Sequence, residues 1–212
     1  AVLSASYPED HYPVLRARFM YGRRLVVART GTDEVRARRT REAIETMESV
    51  IAGFAKARLP LQPLHRITLA QALMMRRDPG DLARARRLLE DNADILQAYP
   101  PGYSMRFYNP YLLARAAYDD GDAAAADAQL ATLVAPLRQQ LTTTNNRFVL
   151  RDVLMLRARI ALDRGDDATA RDLLAQAVAH MEAAFGPDHV GTGRTRAALS
   201  SLRDTGTFAL LN

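Results

Sequence analysis

Apolar residues recur three and four apart along most of this chain, and no stretch alternates with period two over a strand's length. One set is Leu82, Ala85, Leu88, Leu89 and Leu96; a second is Ala126, Leu130, Leu133, Val134, Leu137 and Leu141. A third is Val149, Val153, Leu156 and Ile160, and a fourth is Ala170, Leu173, Leu174, Ala177, Val178, Met181 and Phe185. Each set marks one side of a helix at 3.6 residues per turn. The pattern predicts helices over 12–29, 33–58, 64–77, 81–98, 105–119, 122–141, 147–164, 167–184 and 191–204, and no sheet.

The breaks between these segments repeat. Gly80-Asp81, Gly121-Asp122 and Gly165-Asp166 share one punctuation, with Gly31-Thr32-Asp33 and Gly206-Thr207 at the two ends. Successive glycines lie 49, 41, 44 and 41 residues apart. A glycine accepts the left-handed conformation that closes a helix, and an aspartate after it can cap the next one. Each mark therefore predicts a tight turn inside an antiparallel pair. Loop signals separate the pairs: Pro60 to Pro63, Pro100-Pro101-Gly102, Thr142 to Asn146, and Gly186 to His189. The expectation is one all-α domain over 1–212, with pairs at 12–58, 64–98, 103–141 and 147–184 and a terminal helix at 191–204. Two prolines modify it. Asn109-Pro110 could cap and open a helix, leaving 103–108 as a separate turn, and Pro136 should kink its helix.

The repeat resembles the tetratricopeptide family, in the longer form seen in kinesin light chains and in bacterial kinase- or regulator-linked arrays. The residues that carry the likeness are Phe185-Gly186-Pro187-Asp188-His189 followed by Arg194 to Leu202, with a weaker copy at Tyr7-Pro8-Glu9-Asp10-His11. Small residues recur on both sides of the turns, at Ala114 and Ala126, at Ala158 and Ala170, and at Ala85. The likeness spans about 7–204. The chain departs from the family's pattern in lacking tryptophan, in placing Leu73 where a small residue is usual, and in an added stretch after Gly31. The resemblance implies an antiparallel helix-pair solenoid, about four pairs and a terminal helix, that binds protein or peptide and is not an enzyme.

Composition narrows the alternatives. Cysteine is absent, which removes a disulfide framework, a thiolate metal site and a cysteine nucleophile. Net charge is +5, and the excess sits in residues 1–100, with 17 Lys+Arg against 12 Asp+Glu. Residues 101–212 hold 12 of each. A basic half could face nucleic acid, anionic lipid or an acidic protein, but here the arginines alternate with acids as on a solvated surface. That pattern speaks against nucleic acid. Lys56 is the one lysine, a usage expected of a GC-rich bacterial genome. No apolar run reaches the length of a membrane span. Ala1 to Ser6 read like the tail of a helix cut from a longer chain, of which this would be a signalling or regulatory portion, cytoplasmic or periplasmic.

Catalytic signals are missing. His11, His65, His180 and His189 have no partners at metal-ligand spacing, and there is no phosphate-cradling glycine loop or nucleophile elbow. No cofactor and no metal are expected. Asp119, Asp120, Asp122, Asp163, Asp166 and Asp167 lack the spacing of a calcium loop and read as caps and turns. Glu42, Glu45 and Glu48 read as an exposed face near Arg38, Arg39 and Arg41.

One cluster stands out: Tyr99, Tyr103, Phe107, Tyr108, Tyr111 and Tyr118 crowd into twenty residues. In the family the first helix of each pair lines a concave groove. Carrying those positions over through Gly121 gives Tyr108, Tyr111, Arg115 and Tyr118; through Gly165 it gives Asp152, Met155, Arg159 and Asp163. Tyr108, Tyr111, Arg115, Tyr118 and Arg159 are the expected groove site, for a partner segment that could be acidic. Self-association through the repeat ends is the competing use, with Val14, Ala17, Tyr21, Leu25 and Ala28 placed to meet a neighbour.

Overall fold

The computed structural model describes residues 8–28 and 30–210, so the expectation for Ala1 to Ser6 lies outside the described residues. The described residues are helices and turns, without a strand. Two compact units divide the chain, 1–98 and 99–212.

In the first unit, α1 (Tyr12–Val27) and α2 (Asp33–Lys56) form a pair, as do α3 (Pro63–Arg76) and α4 (Asp81–Glu90). Helix α3 also lies against both α1 and α2, the neighbour-on-neighbour packing by which a repeat array builds its core. Leu15 of α1 and Met47 and Val50 of α2 are buried, as are Ile67 and Leu73 of α3. The first pair closes tightly: a Cβ at Gly53 would lie 2.3 Å from Leu15 Cδ2. His65 lies between Phe19 and Phe54, with ring centroids 4.4 and 4.6 Å away. Its Nδ1 accepts the Gln62 backbone N–H at 3.0 Å, capping α3, and burial pushes its pKa down.

The predicted helix 81–98 is two helices, α4 and α5 (Ala93–Gln97). Asn92 is the cause. It is fully buried, donates Nδ2 to the Pro63 carbonyl at 3.1 Å, and faces Arg66 Nη1 at 3.4 Å. The chain is thereby held to the first turn of α3, and the helical ladder is interrupted.

The second unit holds α6 (Met105–Asp119) paired with α7 (Ala123–Gln139), α8 (Thr144–Asp163) paired with α9 (Asp167–Phe185), and α10 (Val190–Thr205) against α9. Helix α6 also meets α8. Ala114, Ala126, Ala158 and Ala170, the small residues that recur beside the turns, are all fully buried, as a close approach of the paired helices requires. Leu73, at the equivalent place in the first unit, is fully buried too.

The turn glycines adopt the expected conformation, with φ of 86° at Gly80, 92° at Gly121 and 78° at Gly165. Asp122 and Asp166 cap as predicted, accepting the N–H groups of Ala125 and Thr169. Two marks differ. Thr32 rather than Asp33 caps α2. Asp81 is turned inward to accept two bonds from Arg76, at 2.8 and 2.6 Å, and the Asp78 N–H at 3.0 Å. Arg76 beside it holds the Asp81 carboxyl below its ordinary range.

Three local expectations are corrected. Pro110 does not open a helix but lies inside α6. It sits in the second turn, so its missing N–H costs the helix one ladder bond, the one to the Arg106 carbonyl. Helix α8 starts at Thr144, inside the predicted loop, because Thr143 accepts the Asn146 N–H. Glu42 and Glu48 are also more than a solvated face, since Glu42 accepts from Tyr21 within the first pair and Glu48 from Arg84 of the second.

Candidate functional site

Helices α6 and α8 lie side by side, and their facing rows carry the expected site residues. On α6, positions 108, 111, 115 and 118 advance by three, four and three, so they share a side. Tyr108 and Tyr111 stack with centroids 5.8 Å apart and planes 17° from parallel. Tyr111 is only 8% exposed, so it is not open to a ligand. It forms the floor of the row: burial first, then the negative charge of Asp152, pushes its hydroxyl pKa up, and Arg115 hydrogen-bonds to it. Met155 on α8 is likewise buried.

Tyr108, Arg115, Tyr118 and Arg159 are each partly exposed. Arg115 Nε donates to Asp119 at 3.1 Å, between side chains that are 14% and 11% exposed. The Tyr118 hydroxyl donates across the interface to Asp163 Oδ2 at 2.6 Å. Its pKa is pushed up to about 12, by burial first and then by that bond. Arg159 faces the same Asp163 at 3.9 Å, too long for a direct hydrogen bond. The structure thus joins Tyr118, Asp163 and Arg159 in one chain, while Tyr111 and Arg115 form a second, tighter cluster with Asp119.

Asp119, read from the sequence as a cap or turn residue, instead holds Arg115 of the row. Asp163, read both as a turn residue and as a groove position carried over through Gly165, holds Tyr118. Their acidic side chains fall four residues after Arg115 and Arg159, a spacing at which opposite charges meet on a helix, and this signal could have identified them. The segment after α10 was not foreseen at all. Phe208 is buried, and the Arg159 guanidinium carbon lies 4.6 Å from its ring centroid.

A second feature lies along α8. Phe148 stacks on Phe185 at 4.9 Å, Phe185 stacks on His189 at 4.8 Å, and Arg151 covers the Phe148 ring at 4.9 Å. His189 Nδ1 accepts the Gly191 N–H, so this histidine caps α10. His11 precedes α1 without a side-chain cap bond of that kind. The loop motif Phe185 to His189 is therefore a structural joint. Among the described residues no group of three or more His, Asp or Glu is placed to hold a metal ion. No described helix is long and apolar enough to cross a membrane.

Among the solved structures that match this fold are two of one protein. Both are crystal structures of a Podosopora anserina putative kinesin light chain with nearly identical TPR-like repeats. One matches with a TM-score of 0.63 at 22% identity, covering 94% of this chain and 89% of that one. The other has a TM-score of 0.62 at 23% identity, covering 92% and 89%. No protein-family model matches the sequence, and no curated protein matches it. The fold is that of TPR-like helix-pair repeats.

Proposed function

We propose that the chain is a non-catalytic scaffold that binds a protein or peptide segment, the TPR-like portion of a larger bacterial signalling or regulatory protein. The observation that carries this reading is the row on α6 and α8. It sets the tyrosines 108 and 118 and the arginines 115 and 159 at a partly exposed surface over a buried floor. Tyrosine offers rigid apolar area with a polar tip, and arginine a planar set of donors, the two commonest anchors of a binding face. Arg159 has donors to spare, because its contacts with Asp163 and with Thr207 Oγ1, at 3.9 and 3.4 Å, are both long. A carboxylate on the partner would find its grip there, so an acidic segment is the favoured ligand.

The test is selection of random peptides against the chain, followed by titration against Arg115→Ala with Arg159→Ala. Affinity should fall at least tenfold while the circular dichroism spectrum stays the same. Selected peptides indifferent to both substitutions, or a double variant that melts several degrees lower, would show that the row serves packing.

A self-assembling array is the second reading. Helix α1 favours it, because Tyr12, Met20, Tyr21 and Val27 are each about half exposed.

A further inference from the structure

The row on α8 already has an occupant. Beyond α10 the backbone reverses at Gly206, φ 69°, and brings Thr207 and Phe208 back against α8 and α10. Phe208 is 3% exposed and lies under the Arg159 guanidinium. Arg159 Nη1 also donates to Thr207 Oγ1 at 3.4 Å. The Thr207 carbonyl accepts from Ser201 Oγ at 2.8 Å, while the Thr205 hydroxyl, 3.2 Å from that carbonyl, gives its proton to the nearer Ser201 carbonyl at 2.8 Å. One side chain is stacked, the preceding hydroxyl is bonded, and the backbone carbonyl between them is held by Ser201. These are the elements by which a face reads a short extended segment: an aromatic platform, a side-chain hydrogen bond and a main-chain register.

A simple helix stop would need only the glycine turn and an apolar residue to cover the last turn. The arginine is additional. It comes from a different helix pair, 48 residues away in sequence, and contacts both residues of the step. Guanidinium is suited to this, since it stacks on a ring and donates in its own plane.

We propose that the face formed by Arg159 and Ser201 is a binding site for a short segment with a hydroxyl residue followed by an aromatic one. Thr207-Phe208 is its resident occupant, displaced when a partner presents the same step. The inference rests on the segment-binding reading above and adds a second feature to the acidic segment proposed there. Tethering holds the occupant at a local concentration of roughly millimolar. A free peptide with only the same two contacts cannot compete with that. A partner that also reaches Tyr118 and Arg115 can, because it adds contacts the occupant does not make.

The experiment uses a fluorescent peptide of residues 204–210 and the full chain, measured by anisotropy. The unaltered chain should bind it weakly. Phe208→Ala vacates the site and should tighten binding at least tenfold. Adding Arg159→Ala should remove that gain, and a peptide carrying the same Phe208→Ala change should not bind either chain. No gain in a Phe208→Ala chain of unchanged helicity overturns the inference. Should that variant lose helicity, Arg159→Ala alone decides. It must speed amide exchange at 207–210 at least tenfold while α10 keeps its protection, and unchanged exchange also overturns the inference. The two readings remain separable. Selected peptides that need Arg115 and Arg159 but ignore Phe208→Ala would leave the scaffold function standing and remove the resident occupant.

Discussion

Ala158 and Ala170 set the distance between α8 and α9, and enlarging them tests the register of the whole repeat. Both are fully buried, whereas Ala124 on α7 is exposed. Leucine adds three carbons. In a ready-made cavity these would stabilise the fold by about 2.4 kcal/mol, at ~0.8 kcal/mol each. Interiors packed at about 0.75 density offer no such space, so the helices must separate and lose dispersion along their whole contact. The net is destabilisation of about 1–3 kcal/mol for Ala158→Leu and for Ala170→Leu. Ala124→Leu changes only propensity and exposure, and should stay within about 0.5 kcal/mol of the parent. At about 2–4 °C per kcal/mol for a chain of this size, the two buried variants should melt roughly 2–12 °C lower. Thermal denaturation followed at the helical circular dichroism band measures this. If Ala158→Leu and Ala124→Leu melt within a degree of each other, the assignment of Ala158 as a close-approach position is wrong.

The remaining predictions concern unit interiors and acid response. Gly53→Ala should destabilise despite alanine's better helix propensity, because the new Cβ meets Leu15 at 2.3 Å, whereas Gly193→Ala, with nothing within 4 Å, should stabilise by up to about 1 kcal/mol; paired urea titrations compare them, and equal shifts would refute the close packing of α1 on α2. Burial lowers the pKa of His65 and of His180 below the ordinary 6.5, so on acidification the unfolded chain takes up these protons before the folded one does. Stability should therefore fall as pH drops from about 7 to about 5, and His65→Gln should flatten that fall; an unchanged slope of urea midpoint against pH would refute the assignment.

The sequence alone determined the local structure because its causes are local. A 3.6 period in the apolar residues requires one buried helix face, and glycine followed by aspartate supplies both a left-handed turn and a cap, so the helix pairs and the buried alanines were legible. Exceptions arose where a distant group intervened. Asn92 broke a helix by bonding to Pro63, and Asp81 left its capping role for Arg76, contacts that no window of neighbouring residues contains. The site divides in the same way. Helical spacing put Tyr108, Tyr111, Arg115 and Tyr118 on one side, and the repeat aligned Arg159 with them. Only tertiary packing decided that Tyr111 is the floor rather than the surface, since exposure depends on how closely α8 approaches α6. Only packing, too, brought Phe208 under Arg159, because a contact across 49 residues is fixed by the stacking of helix pairs and leaves no periodic trace in the chain.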